Sequence, residues 1–274
     1  MYLLFFLSGL ITSTLAQTNL IEYNHPAARP RVLDENHYAA KLDGLNLHLE
    51  AAAGANGNSK PDVRSLNHCK SLAYRTLASL PQVTVKHLQN LTLSFNNDDR
   101  RGLGGGSTII LRCSNVTDNE LVGVLVHEVG HIADTGVLQG NFLAGASEFK
   151  DGTNAIYNDD ASLDFYRLSF LDEKTIRPNA QAVDFVSGYA MSDPFEDFAE
   201  TYNYYILHGE EFRKLAKMNE ILQKKYAFLK IRVFNGKEFA NGNNSGDGSK
   251  AVSYVSREYD TTVQPYVLKK FFVI

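Results

Sequence analysis

The chain has 274 residues, a formal net charge of −4 and a hydrophobic fraction of 44%. Its charged residues are interspersed, so the sequence has no basic footprint for nucleic acid. The length suits one domain with a substantial core, with or without small appendages. Composition therefore argues against a nucleic-acid-binding protein and leaves the function to be inferred from motifs.

Residues 1–16 have the pattern of a secretory signal peptide. The apolar block Tyr2–Leu7 is followed by small and polar residues that end in Ala16, which predicts cleavage before Gln17. No lysine or arginine precedes the block, and an uncleaved anchor is the alternative. The block is shorter than the about 20 residues that a bilayer span requires. We therefore expect a secreted, periplasmic or extracellular protein with no stable membrane span after signal cleavage.

The next segments predict a loose beginning and then a folded domain. Residues 17–60 mix small and polar side chains and are predicted to be loosely structured, so the folded domain is predicted to span residues 61–274. Helical spacing of apolar residues follows from Pro61 to Leu80, and residues 83–95 alternate as strands do. These patterns predict a mixture of helices and a small sheet.

A glycine-rich segment precedes a predicted strand. Gly102–Gly106 lacks the Lys-Ser/Thr ending of a phosphate loop, so it predicts a hairpin loop or a flap beside a substrate. A flexible turn without a function is the alternative. Ser107–Cys113 has the β-branched and apolar content of a strand.

Cys69 and Cys113 are the only two cysteines of the chain. In an exported protein they are candidates for one disulfide, whose closed loop is worth roughly 4 kcal/mol in entropy models. Two buried free thiols are the alternative. Neither cysteine has the spacing of a zinc ligand set.

The segment His127-Glu128-Val129-Gly130-His131 fits the H-E-x-x-H zinc signature. It follows an apolar run and the capping box Thr117–Glu120, which together predict one helix. Histidines four residues apart lie on one helix face and can reach one metal ion, while Glu128 lies beside that ion as a base. The alternative is a helix with two unrelated histidines and a solvated glutamate.

A catalytic zinc usually has three protein ligands, so a third must come from elsewhere. A metzincin would require glycine and histidine at positions 134 and 137, but the chain has Asp134 and Val137. An aspzincin would require aspartate at the position of Ala155. Asp134 lies about 10 Å along the helix axis from His127, so we expect it to bond a neighbouring group instead of the metal.

The best candidate for the third ligand is Glu196. Asp193 and Pro194 have the pattern of an N-cap and a first helical residue, which predicts that Glu196 and Glu200 share one face of a second helix. One carboxylate would then bind zinc and the other would orient a ligand histidine. The alternative is that Glu196 serves only as the capping-box partner of Asp193.

With these motifs the sequence resembles the gluzincin metallopeptidases, and among them the anthrax lethal-factor and pro-pro-endopeptidase type. One motif is H-E-x-G-H at residues 127–131, followed by Ala133 and Asp134. The other is E-x-F-A-E at residues 196–200, with Tyr189 seven residues before it. The resemblance covers roughly residues 105–205 and does not extend to substrate preference.

The resemblance implies an α+β zincin-like domain. Such a domain has a small sheet with an edge strand, here expected at Ser107–Cys113, then an active-site helix and a mainly helical C-terminal half. It also implies that Tyr189 donates a hydrogen bond to the oxyanion of the tetrahedral intermediate. We expect helices to continue to Leu207 and from Glu210 to Phe228. A loop at residues 241–248 would follow, and then a tail that packs on the domain.

The sequence thus predicts a secreted zinc metalloendopeptidase that acts as a monomer on peptide or protein substrates. Zn²⁺ would be bound by His127, His131 and Glu196, with Glu128 as general base and proton donor. Tyr189 would stabilise the oxyanion and Glu200 would orient a ligand. One alternative is a secreted, non-catalytic protein with a zinc-stabilised fold that serves binding or structure, and another is a toxin-like effector that acts in another cell.

Overall fold

The computed structural model describes residues 46–50, 62–96, 100–241 and 260–272. All of them belong to the compact unit that spans residues 34–274. The predicted signal peptide lies outside the described residues, as do most of residues 17–60 and all but Asn241 of the predicted loop. The architecture is α+β, as predicted, with a small sheet, a separate two-stranded hairpin and several helices.

The main sheet has four strands in the order β1-β2-β4-β3. The first three strands in that order run parallel to one another, and β3 pairs antiparallel with β4. The second sheet is an antiparallel hairpin of two strands. The strands are β1 (Asn46–Glu50), β2 (Asn90–Ser94), β3 (Gly102–Gly105), β4 (Thr108–Arg112), β5 (Ala146–Asp151) and β6 (Asn154–Tyr157).

The sheet corrects three predictions. The strand β1 lies within the segment that was predicted to be loosely structured. Ser107–Cys113 does contain a strand, β4, but β4 is an inner strand, so the prediction of an edge strand there was wrong. One edge of the described sheet is β3, the glycine-rich segment predicted to be a hairpin loop or a flap beside a substrate. Glycine lacks a side chain, so this segment can pair with β4 and approach the neighbouring helix closely.

Residues 83–95 do not alternate as strands throughout. The strand prediction was wrong for residues 83–85, which belong to the short helix Gln82–Val85, and the strand is confined to β2. The side-chain amide of Gln82 donates to the carbonyl oxygens of Leu77 and Leu80 at 3.3 and 3.2 Å. These contacts bond carbonyl groups at the end of the preceding helix and favour a tight turn at this point.

Eight α-helices are described, and helix caps explain where the main ones begin. Thr117 accepts from the backbone N–H of Glu120, and Asp193 accepts from those of Phe195 and Glu196. Asn219 caps the helix Glu220–Phe228, so the segment predicted to be helical from Glu210 to Phe228 is two helices. The helices are α1 (Val63–Ser79), α2 (Gln82–Val85), α3 (Asp118–Ile132), α4 (Leu163–Ser169), α5 (Pro194–Leu207), α6 (Gly209–Ala216), α7 (Glu220–Phe228) and α8 (Leu268–Phe271).

The helices α3 and α5 pack against each other in the core. A Cβ atom on Gly130 would lie 3.0 Å from the Cα atom of Ala199, so the glycine allows the two backbones to approach. Nearly all of α5 is buried, which explains its apolar and aromatic content. A disulfide between Cys69 and Cys113 joins α1 to the end of β4. Among the described residues, no helix has the length and apolar character needed to span a membrane.

Candidate metal centre

The buried second half of α3 carries the first residues of the site. The side chains of His127, Glu128 and His131 each offer one ligand atom, and these atoms lie within 4.8 Å of one another. His127 and Glu128 are each only 6% exposed. This group could bind a metal ion, because two imidazoles and a carboxylate converge on one point.

The helix α5 adds Glu196 to the same point. Its Oε2 atom lies 3.1 Å from Nε2 of His127 and 3.5 Å from Nε2 of His131. Ligand atoms of a tetrahedral zinc with bonds of about 2.0–2.2 Å are separated by roughly 3.3–3.6 Å. The two distances from Glu196 Oε2 therefore lie within a few tenths of an ångström of those between the ligand atoms of a tetrahedral zinc site.

The contacts of Glu196 also concern the alternative that it serves only as the capping-box partner of Asp193. Asp193 does cap α5, since its Oδ1 atom accepts from the N–H of Glu196 at 2.8 Å. The Glu196 carboxylate is directed elsewhere, because Oε1 accepts from the hydroxyl of Tyr189 at 3.0 Å and Oε2 faces the two histidines. Glu196 thus makes contacts that a purely capping role would not require.

Glu200 lies one turn further along α5 and is 0% exposed. Its Oε1 atom lies 2.8 Å from Nδ1 of His127, on the side of the ring that faces away from Glu196. Oε2 accepts from the hydroxyl of Ser187 at 2.6 Å, and Thr261 donates to both oxygens. Burial alone would raise the pKa of Glu200, but these hydrogen bonds hold it below its usual value.

The charges of the site favour a bound cation. Burial would lower the pKa of His127, but hydrogen bonds to Glu196 and Glu200 raise it to about 10. Burial raises the pKa of Glu128, while both neighbouring histidines oppose that shift. Three carboxylates thus surround His127 and stabilise positive charge at its ring. A divalent ion would supply the same compensation.

Tyr189 borders this group from the turn before α5. Its ring is stacked near that of His127, with the centroids 6.1 Å apart. Burial and the charge of Glu196 raise the pKa of its hydroxyl, so the phenol keeps its proton and remains a hydrogen-bond donor. The position of this donor beside Glu196 places it at the mouth of the site.

The edge strand β3 passes directly over Glu128. A Cβ atom on Gly102 would lie 2.3 Å from Oε1 of Glu128, and one on Gly104 would lie 2.8 Å from Oε2. The backbone N–H of Gly104 hydrogen-bonds the same carboxylate. Only glycine fits at these two positions while Glu128 keeps its place.

A cleft of about 590 Å³ opens onto these residues. Its walls come from β3, α3, the start of α5 and the segment after residue 260. Besides His127, Glu128, His131, Tyr189 and Glu196, its lining includes Arg100, Arg101, Leu103, Asp151, Asp193, Asp260 and Thr262.

Asp134 lies outside this group, as the sequence suggested. It is buried, and its Oδ2 atom accepts from the hydroxyl of Tyr166 at 2.6 Å. Burial raises the pKa of Asp134 to about 7. This contact ties the end of α3 to α4 and leaves Asp134 with a structural partner.

Three features of the site were not found by sequence analysis. They are Ser187, Thr261 and the contact of β3 with Glu128. The alternation of Gly102, Leu103 and Gly104 is typical of a strand that has no side chains on one face. The high glycine content nevertheless favoured the prediction of a loop. No local pattern marks Thr261, which is far from α5 in sequence.

Comparison with known proteins agrees with the geometry over the central part of the chain. Residues 116–243 match the model of the Peptidase_Mx family, described as "Putative zinc-binding metallo-peptidase". No curated protein and no solved structure matches the chain. The matched stretch includes both histidines, Glu128, Tyr189, Glu196 and Glu200. The family match, together with the His-Glu-His group that could bind a metal, supports a metallopeptidase.

Proposed function

We propose that this protein is a secreted zinc-dependent metalloendopeptidase of the gluzincin type, similar to the anthrax lethal-factor and pro-pro-endopeptidase enzymes. The observation that carries the proposal is the position of Glu196 Oε2, at 3.1 and 3.5 Å from the Nε2 atoms of His127 and His131. These residues would hold the zinc ion. The family match over residues 116–243 independently favours a zinc-binding peptidase.

A zinc ion held by His127, His131 and Glu196 would supply Lewis-acid chemistry, polarising a peptide carbonyl and acidifying a water molecule. Glu128 takes the proton from water and later delivers it to the departing amine. Its carboxylate is suited to this task because β3 fixes it and burial raises its pKa. Both the acceptance and the release of a proton are easier when the pKa is nearer to neutral.

Tyr189 and Glu200 assist from opposite sides of the site. The Tyr189 hydroxyl stays protonated and can transfer its hydrogen bond from Glu196 to an oxyanion that develops in the cleft. Glu200 accepts from Nδ1 of His127, which would leave Nε2 unprotonated and available to hold a metal ion. Hydrogen bonding thereby fixes both the tautomer and the ring orientation of His127.

A peptide substrate would be bound along β3. The carbonyl of Arg101 accepts from the N–H of Arg112, so Arg101 faces β4 and the backbone groups of Gly102 and Gly104 face away from it. The N–H of Gly104 bonds Glu128, which leaves the carbonyl of Gly104 and both groups of Gly102 directed at the cleft edge. An extended peptide can pair with such groups irrespective of its sequence.

Two observations support action outside the cytoplasm. The apolar block in residues 1–16 is typical of a signal peptide. The disulfide between Cys69 and Cys113 is of a kind that persists in oxidising compartments. A monomer suffices for this function, since every residue of the site comes from one chain.

The direct test is a cleavage screen of the mature, zinc-loaded protein against a mixed peptide library. We expect internal peptide bonds to be cleaved, cleavage to stop with a zinc chelator, and added Zn²⁺ to restore it. The Glu128→Gln variant should retain zinc and lose about 10²–10⁴-fold in rate, which is the usual contribution of a general base. Zinc-loaded wild type without cleavage of any library member would favour the alternative, a non-catalytic zinc-stabilised binding or structural protein.

A further inference from the structure

The turn Asp260–Thr262 contacts three separate parts of the metal centre. It lies beyond residue 243, where the family match ends. Asp260 contacts the residue that precedes β3, Thr261 contacts Glu200 on α5, and Thr262 contacts α3. All three residues of the turn are buried, at 6%, 0% and 4% exposure. Such a turn can position several site elements at once.

Thr261 bonds Glu200, the carboxylate that bonds His127. Its backbone N–H donates to Oε2 of Glu200 at 2.8 Å, and its hydroxyl donates to Oε1 at 2.9 Å. Oε1 is also the atom that bonds Nδ1 of His127. Thr261 therefore supplies two of the four hydrogen bonds to a fully buried carboxylate, and Ser187 and His127 supply the others.

The neighbours of Thr261 hold the edge strand and the active-site helix. Arg101, directly before β3, forms an ion pair with Asp260 and donates to the hydroxyl of Thr262 at 2.7 Å. The carbonyl oxygen of Thr262 would lie only 2.6 Å from a Cβ atom on Gly123 of α3. The absence of a side chain at Gly123 thus allows the turn to lie against α3.

We propose that the turn Asp260–Thr262 is a positioning element of the metal centre, in which Thr261 fixes Glu200 and thereby the ring of His127. The proposal rests on the zinc site of the proposed function, but it does not depend on peptidase activity. The carboxylate of a glutamate can rotate about its Cγ–Cδ bond unless hydrogen bonds hold its oxygens in place. Oε2 accepts from Ser187 and from the N–H of Thr261, whereas Oε1 accepts from the hydroxyl of Thr261 beside His127, so this hydroxyl helps to fix the direction of the bond to His127.

The prediction concerns zinc affinity. Loss of a partner that orients a metal-ligating histidine typically lowers metal affinity 10- to 100-fold. Thr261→Val keeps the backbone N–H and the shape of the side chain but removes the hydroxyl donor. We therefore expect its Kd for Zn²⁺ to rise by about 10-fold or more. Thr261→Ser restores the hydroxyl and should return the Kd to within about threefold of wild type.

Zinc affinity would be measured by competition with a chromogenic chelator on the folded, full mature chain. The matched control is Thr76→Val in α1, because Thr76 is also fully buried and its hydroxyl bonds only the carbonyl of Leu72 at 2.8 Å. We expect this control to leave the Kd unchanged even if it lowers the melting temperature. Thr261→Ala against Thr261→Ser gives the same comparison if the valine variant does not fold.

Two results would overturn the proposal. One is an unchanged Kd in the variants that lack the Thr261 hydroxyl, and the other is an equal rise in Thr76→Val. Wild-type protein that binds no zinc would instead refute the zinc site itself, so the two failures are distinguishable. A zinc-loaded wild type without peptidase activity would leave this test fully usable.

Discussion

Two neighbouring carboxylates on α5 differ in the cation that compensates them. Asp197 is 0% exposed, and the ammonium of Lys225, also 0% exposed, lies 2.9 and 2.6 Å from its two oxygens. Glu196 instead faces two imidazoles and a phenol. A buried carboxylate with a resident lysine has its countercharge built into the fold. A half-buried carboxylate that faces two histidines can instead share a bound cation with them.

The rotation of the helix accounts for this division. Residues one apart on an α-helix point about 100° from each other, so Glu196 and Asp197 lie on different faces. The face with Glu196 and Glu200 is directed to α3, and Asp197 is directed to α7 and Lys225. Burial raises the pKa of Asp197, and the ammonium of Lys225 opposes that shift. The face with Glu196 and Glu200 forms the site, and the contact of Asp197 with Lys225 holds α5 against α7.

The largest effect is expected from breaking the buried ion pair between Asp197 and Lys225. Lys225→Met leaves Asp197 buried without its countercharge, which typically costs about 3–5 kcal/mol in the free energy of unfolding. Urea unfolding of the apoprotein measures this loss. The control is Lys224→Met, since Lys224 pairs with Glu220 on the surface and should contribute no more than about 1 kcal/mol. Equal stability of the two variants would mean that the ion pair between Asp197 and Lys225 does not stabilise the fold.

A second prediction separates catalysis from zinc binding on the Glu196 face. Tyr189→Phe removes the hydroxyl donor and should lower kcat by about 10²–10³-fold, as loss of one oxyanion donor does. Zinc content should not change, because the Tyr189 hydroxyl bonds Oε1 of Glu196 whereas Oε2 faces the two histidines. Tyr226→Phe is the control, since the Tyr226 hydroxyl bonds Glu238 outside the cleft. A wild-type kcat in Tyr189→Phe would contradict the oxyanion role.

A third prediction tests how β3 positions Glu128. In Gly104→Ala the new Cβ atom would lie 2.7 Å from the backbone oxygen of Glu128 and 2.8 Å from Oε2, so the base must shift. A displacement of about 1 Å can cost about 10²-fold in rate. Gly105→Ala is the matched control, because a Cβ atom there meets nothing within 4 Å. Peptidase rates that fall equally in both variants would show that strand flexibility matters instead of the contact.

The sequence predicted the parts of the fold that depend on local chemistry. Thr117 and Asp193 cap α3 and α5 as expected, because a capping side chain bonds N–H groups two or three residues away. Hydrophobic periodicity predicted a mixture of helices and a small sheet, and the family resemblance implied the α+β class and the helical C-terminal half. The strand order could not be predicted, because β3 pairs with β4 through backbone groups that leave no pattern in the side chains.

Within the site, too, the sequence predicted local spacings but not the contacts between distant segments. Histidines four apart on α3 and glutamates four apart on α5 are local spacings, and the sequence located both sets. The two sets meet because α3 packs against α5. The missing side chain of Gly130 allows the two helices to approach each other. Thr261 was not found because its contact with Glu200 spans 61 residues and involves a backbone N–H that any residue but proline would offer.

The most direct test of the central claim is the zinc content of the purified mature chain, measured by elemental analysis. Wild type should contain about one zinc per chain, and His127→Ala and Glu196→Ala should contain almost none. Glu220→Ala, which removes an exposed glutamate from the first turn of α7, should match wild type. Full zinc content in Glu196→Ala would contradict the account, because the third ligand would then lie elsewhere and Glu196 would serve its helix alone.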